Sequence, residues 1–281
     1  MKRFTLKKYS ECLGILLFIV GGCTSTPMVS RTTNSIPSKP VVTSDETKQV
    51  CDALSALSGL CNSLYAEGTI TFHDANASQS GQFTLRSKRP TAGGDSLSMI
   101  INGPFGITAA KFLGSTSEYN FYNAIEGEHY HGKPDEKELE KLTGMKGLSL
   151  GVLNDVVYGI PPIRLSGNDY ENITRHVLGA DRSKLIICRP ENECTEAVTY
   201  KLTGGSVHIL SYERWNRVID SASFAATAPD LNIQFSGMID DAKFLLPNFI
   251  TAVSGSQTLE IEYSQAKENT QRLTVKIKMP Q

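Results

Sequence analysis

Alternating hydrophobicity in this sequence predicts a mainly β fold: one large antiparallel sheet, curled as a half-open barrel and interrupted by a helical insert. Three observations carry that expectation. Apolar and polar residues alternate with a period of two through most of the chain beyond residue 66. Short Gly, Asn, Ser or Pro clusters separate the alternating runs, as hairpins between neighbouring strands require. Helical patterns are confined to residues 46–57 and about 134–162, so the strand–helix alternation of a doubly wound fold is absent.

The elements follow in order. Val50, Cys51, Leu54 and Leu57 give residues 46–57 an amphipathic helical stripe. AEGTITFHD, SGQFTLRSK, DSLSMIING, ITAAKFLG and SEYNFYNA then read as successive strands. In the third of these, Leu97, Met99 and Ile101 mark one consistently apolar face. The insert follows. PDEKELEKLTG has Pro134 and Asp135 at a helix start and Gly144 at its end. SLGVLNDVVYGIPP has Ser149 as an N-cap, a stripe of Leu150, Leu153, Val156 and Val157, and a stop at Gly159 before Pro161. Strand patterns return in YENITRHV, SKLIIC, AVTYKL, VHILSYERW, RVIDSASF, LNIQFSGM, TLEIEYSQ and RLTVKIKM. Residues 46–281 are thus expected to form a single β domain.

The chain has 281 residues with 28 Lys and Arg against 29 Asp and Glu. That balance argues against nucleic-acid binding, which normally shows a strongly basic face. The N-terminus is an address. Lys2, Arg3, Lys7 and Lys8 precede the apolar run CLGILLFIV. Nine helical residues span about 14 Å, half a bilayer core, so the run suits a secretion signal rather than a membrane span. Val20-Gly21-Gly22-Cys23 resembles a bacterial lipobox, which implies acyl chains of the palmitate type on Cys23 and removal of residues 1–22. In the lipoproteins this resembles, an Asp after the cysteine marks inner-membrane retention; Thr24 points to a lipid-anchored place on the periplasmic face of the outer membrane. Residues 24–44 contain 13 Ser, Thr or Pro in 21, so residues 23–45 read as a disordered tether. As a coil it spans about 25 Å.

In an oxidising periplasm the remaining cysteines can pair. Cys188 and Cys194 flank RPENE between two strand runs, where a hairpin sets them opposite each other. Cys51 and Cys61 sit about 15 Å apart on an unbroken helix, too far to bond, unless Gly59 turns the chain back.

The order of NGPFGITAAKF, a Tyr/Phe-rich hairpin and LEKLTGMKGLSLGVLNDVVYGIPP resembles the LolB family of outer-membrane lipoprotein receptors and its LolA-like relatives. The matching features are the loop Asn102-Gly103-Pro104-Phe105-Gly106, with Gly103 as an extra residue, the helix ending Thr143-Gly144, and the exit Gly159-Ile160-Pro161. The resemblance implies a half-barrel with a helical lid over an apolar cavity that holds the acyl chains of lipid or lipoprotein cargo. It also implies a periplasmic carrier as partner, and a protruding loop with an apolar residue at the position of Phe105 that inserts into membrane. Phe105 can equally fold back into the core. Cavity candidates are Met99, Ile101, Ile107, Phe112, Tyr119 and Phe121 from strands, with Leu150, Leu153 and Val157 from the lid; each can also be plain core.

Catalytic readings are weaker. GLSLG satisfies G-x-S-x-G, but a loop rather than a strand precedes Ser149, which serves as well as a helix cap. His129 and His131 share one strand face, yet two ligands do not complete a metal site. Glu126 with Glu128 and Asp240 with Asp241 sit in polar, turn-like contexts. No cofactor, metal or nucleotide motif occurs. The expectation is a non-enzymatic lipoprotein that binds acyl chains and serves outer-membrane lipoprotein localisation; the alternative is a structural or assembly accessory of the envelope without a lipid cavity.

Substituting Cys23→Ala should abolish membrane association, read as transfer of the protein from the pelleted membranes to the soluble fraction at high salt. Continued pelleting would count against lipidation.

Overall fold

A computed structural model describes residues 45–57, 62–89, 96–165, 173–178, 182–189, 193–204, 206–219, 227–237 and 246–268. The signal segment, Cys23, the tether to residue 44, Cys61, Asp240, Asp241 and the strand expected at 272–279 lie outside the described residues.

Helix α1 (Asp45–Leu57) leads into six strands: β1 (Ser63–His73), β2 (Ser78–Lys88), β3 (Ser96–Asn102), β4 (Thr108–Ser115), β5 (Tyr119–Asn123) and β6 (Glu128–Gly132). Helices α2 (Glu136–Thr143) and α3 (Leu150–Val157) form the insert. Seven strands follow: β7 (Ile173–Val177), β8 (Arg182–Arg189), β9 (Glu193–Thr203), β10 (Ser206–Ile219), β11 (Leu231–Ser236), β12 (Phe249–Ser254) and β13 (Gln257–Glu268). All thirteen lie in one antiparallel sheet, ordered β6-β5-β4-β3-β2-β1-β13-β12-β11-β10-β9-β8-β7. Strand β12 was not anticipated, because FITAVS is apolar without a clear alternation. The expected strand at 217–224 is divided: residues 217–219 extend β10 and the remainder is outside the described residues.

The insert folds as its caps dictate. Asp135 accepts from the Glu138 backbone N–H at 2.9 Å and opens α2. Gly144 closes that helix at φ 73°, a left-handed conformation that favours glycine. Ser149 Oγ accepts from Val152 N–H at 3.2 Å and opens α3.

One face of the sheet packs on all three helices. Registers align Ala66, Leu85, Met99, Phe112, Phe121 and Tyr130 in a continuous row across β1 to β6. These join Val50 and Leu54 of α1, Leu139 of α2, and Leu150, Val156 and Val157 of α3 in one core. A smaller cluster of Ile186, Ala197, Trp215 and Ile219 lies apart from it, with Trp215 Nε1 donating to Thr227 O at 3.1 Å.

The sheet must curl to make these contacts. Leu150 packs against Gly114 of β4, while Gly147, three residues earlier, packs against Leu231 of β11. Strands β4 and β11 are six places apart in the sheet. At about 4.8 Å per strand a flat sheet would separate them by about 29 Å. Three residues of chain reach about 10 Å. The two halves therefore bend around the insert, and among the described residues β6 and β7 remain as unjoined ends.

Helix α3 is fastened by polar contacts that its apolar pattern does not announce. The Asp155 side chain is 1% exposed and pairs with Arg89, which follows β2, and with Arg164 at 2.6 Å. The Arg89 guanidinium also lies 4.8 Å from the centre of the Tyr158 ring. Ser87 Oγ of β2 donates to Asn154 Oδ1 at 2.6 Å. From the other half of the sheet, Tyr263 OH donates to Val157 O at 2.9 Å, and burial pushes its phenol pKa far up, keeping the donor protonated. Arg214 of β10 reaches Glu136 of α2 at 3.0 Å, and Arg175 of β7 reaches Glu46 of α1 at 2.6 Å.

Two stability outcomes follow. Asp155→Ala leaves Arg89, 9% exposed, without its carboxylate. The expected cost is about 3–5 kcal/mol in urea unfolding, with much of it recovered in an Asp155→Leu, Arg89→Met double variant. Gly68 sits at a bulge between β1 and β13, where a Cβ would lie 1.9 Å from Glu262 O. Gly68→Ala should lower the unfolding midpoint, by about 1–3 kcal/mol of stability.

Candidate functional site: an exposed apolar tip and a packed core

The β3–β4 connection is built as a tight projection. Gly103 N–H donates to Ile107 O at 2.8 Å, closing a loop around Pro104-Phe105-Gly106. Proline sets the first φ of the turn, and Phe105 itself takes φ 61° and ψ 18°. Among the described residues it is the only non-glycine at positive φ. Such a conformation costs of order 1–3 kcal/mol. Its side chain is fully exposed (100%), so Phe105 does not fold back into the core. Burying a phenylalanine is worth about 1.5–3 kcal/mol, which this loop forgoes.

Phe105 is not alone at this end. Ile107, expected inside, is 69% exposed beside it. The residue is displaced from the interior because it lies in the projecting loop, before β4 begins at Thr108. Ala124 N–H donates to Ala109 O at 2.9 Å, which brings the β5–β6 turn alongside. That turn carries Ile125, 52% exposed. Its isolated position between Ala124 and Glu126 gave no periodic signal. Glu126 accepts from Asn123 Nδ2 at 2.7 Å, and partial burial with the neighbouring Glu128 charge raises its carboxyl pKa. No cation occurs between Asn102 and Ala110. The tip is thus apolar with an acidic flank.

The other interior candidates come together in one core. Met99, Phe112, Tyr119, Leu150 and Val157 are buried, and Ile101, Phe121 and Leu153 pack against them half-buried. Phe112 stacks on Tyr119 at 6.3 Å, and Phe121 meets Tyr130 at 6.1 Å. The space between β4 and α3 is full: a Cβ on Gly114 would come within 2.7 Å of Leu150. A cleft of about 60 Å³ opens elsewhere, between the ends of α1 and α3 and strands β10 and β11. Its wall includes Leu57, Gly159, Val207, His208, Phe235 and Pro247, none of them among the cavity candidates. It has room for a few waters, far below the roughly 300–1,000 Å³ of sites for larger ligands.

Ser149 is engaged as the cap of α3, and a turn precedes it. Cys188 and Cys194 stand opposite each other in the β8–β9 register. Cys51 is buried in α1 with no disulfide among the described residues, and burial pushes its thiol to about 11. No described helix is long and apolar enough to cross a membrane.

No protein-family model and no curated protein matches the sequence. Solved structures do. A DUF1329 family protein from Desulfovibrio piger superposes with a TM-score of 0.51 at 11% identity, over 81% of this chain and 95% of that one. A candidate outer membrane lipoprotein-sorting protein domain from Vibrio parahaemolyticus gives 0.46 at 13% identity, over 80% and 92%. A LolA superfamily protein from Nitrosomonas europaea gives 0.44 at 10% identity, over 79% and 94%. Identities this low speak of fold alone. The chain shares the fold of the DUF1329 family structure, and in this chain that fold is a half-open antiparallel sheet wrapped around a helical insert.

Proposed function

We propose that this protein is a lipid-anchored lipoprotein of the periplasmic face of the outer membrane that binds the acyl chains of lipid or lipoprotein cargo, received from a periplasmic carrier, and presents them to the bilayer. The observation that carries the reading is Phe105. It is fully exposed on a strained backbone, with Ile107 and Ile125 at the same end of the sheet. Strain at an exposed aromatic gains nothing for folding and suits a residue kept for contact with an apolar phase. The tip lacks cations, so such contact is hydrophobic insertion rather than attraction to anionic headgroups.

The sheet interior offers the complementary half. Its inner face is aliphatic and aromatic from β1 through β5, and each acyl methylene buried there is worth about 0.8 kcal/mol. The insert fills that face among the described residues, so cargo takes the place of α2 and α3 rather than entering an open void. Arg89 to Asp155 and Ser87 to Asn154 are polar contacts at the surface where α3 parts from β2. The role calls for no catalytic group. A second reading, a docking module of the envelope with no lipid, is favoured by the close packing of Leu150 on Gly114 between α3 and β4.

Two measurements decide. Organic extraction of the full chain, purified in detergent and exchanged into lipid-free buffer, should release stoichiometric acyl lipid beyond the anchor; a lipid-free interior supports the docking module. Phe105→Glu should fold with unchanged thermal stability and still load cargo, but deliver it to liposomes about tenfold to 100-fold more slowly, the factor set by losing 1.5–3 kcal/mol of insertion. Undiminished delivery by this variant would sink the tip's role.

A further inference from the structure

His129 and His131 alternate along β6, so both imidazoles stand on the face of the sheet turned away from the helices. Tyr130 between them points inward to Phe121. Both histidines are exposed. Their ring centroids lie 6.0 Å apart with the planes tilted by 53°. Neither ring makes a hydrogen bond or ion pair among the described residues. Rings that share one ion through bonds of about 2 Å have centroids about 5–6 Å apart. The centroid spacing of the pair thus falls in the range that a shared ion requires.

The described residues supply only half of a zinc site. Among the described residues no third His, Cys, Asp or Glu joins the pair. The missing half is available by symmetry. Among the described residues strand β6 is an end of the sheet and pairs with β5 alone. Its five residues, Glu-His-Tyr-His-Gly, contain no proline to block a new partner. Antiparallel pairing with β6 of a second copy, Tyr130 opposite Tyr130, sets His129 of each copy opposite His131 of the other. All four imidazoles then occupy one face, about 5 Å apart across the strands and about 7 Å apart along them. The same register sets Glu128 opposite Gly132, so the two carboxylates do not face each other. A register shifted by one residue would turn the histidines of the two copies to opposite faces.

We propose that His129 and His131 are one half of a four-histidine site for a borderline divalent metal of the zinc type, completed when two copies join their sheets through β6. Imidazole is a preferred ligand for such ions, and four neutral nitrogens satisfy tetrahedral zinc. Metal and dimer are coupled: the five-residue edge alone offers few hydrogen bonds, and the ion supplies the remaining attraction.

The test uses the full chain in detergent, titrated with Zn2+ while mass is followed by sedimentation equilibrium and bound metal by elemental analysis. One ion per two chains is expected, with doubling of the protein mass that a chelator reverses. His129→Asn and His131→Asn should each weaken zinc binding by at least about 100-fold and abolish the doubling, with thermal stability in EDTA unchanged. His73→Asn, on a distant strand, should leave both intact. Absence of zinc binding, zinc binding undiminished in the His129→Asn, His131→Asn double variant, or one ion per chain with no change in mass would each overturn the proposal.

Discussion

Asp155 is a carboxylate placed where the surrounding helix is otherwise built to be dry. Removing one charge from water costs several kcal/mol, and the cost is offset only if partners are held in good geometry. Arg89 and Arg164 provide that geometry, and they come from opposite directions: one follows β2, the other follows α3 itself. These contacts hold the helix in the position that the structure shows. Once α3 is fixed, Leu150 meets β4, Val157 meets Tyr263 of β13, and the preceding turn meets β11. The curvature of the sheet is the result of these anchor points, since strands far apart in order must reach the same short helix.

Much of this was legible in advance because it depends on local rules. Alternation at Leu97, Met99 and Ile101 gave the inner face of β3, and the caps Asp135, Gly144 and Ser149 gave both insert helices. What escaped has physical reasons. Strand β12 is apolar on both sides of its pleat, so it lacks the period that marks a half-buried strand. Asn154 and Asp155 interrupt an apolar stripe and read as its polar side, although both are buried. Their partners Ser87 and Arg89 lie more than sixty residues away, and no local pattern links them.

The site divides along the same line. Phe105 was singled out because it matches the apolar loop position of the family that the sequence resembles, and only three-dimensional context distinguishes an exposed aromatic from one folded back. Ile107 was misplaced for the complementary reason: its alternation fits β4, but the strand begins one residue later. A packed core and a cargo-filled interior use the same residue types. Volume decides between them, and volume is a property of the assembled whole.

The order of strands has a further consequence for how the chain acquires its structure. Each half of the sheet, β1 to β6 and β7 to β13, is a run of neighbours in sequence, so its contacts are local and cheap in loop entropy. The halves are joined by one seam, where Leu64 pairs with Glu268 and His73 with Thr258. That seam closes the long loop between residues 64 and 268 and needs both of its strands to be synthesised. Two hairpin meanders can therefore form without each other, and the β1–β13 seam that turns them into one molecule carries the largest loop-closure cost of the sheet.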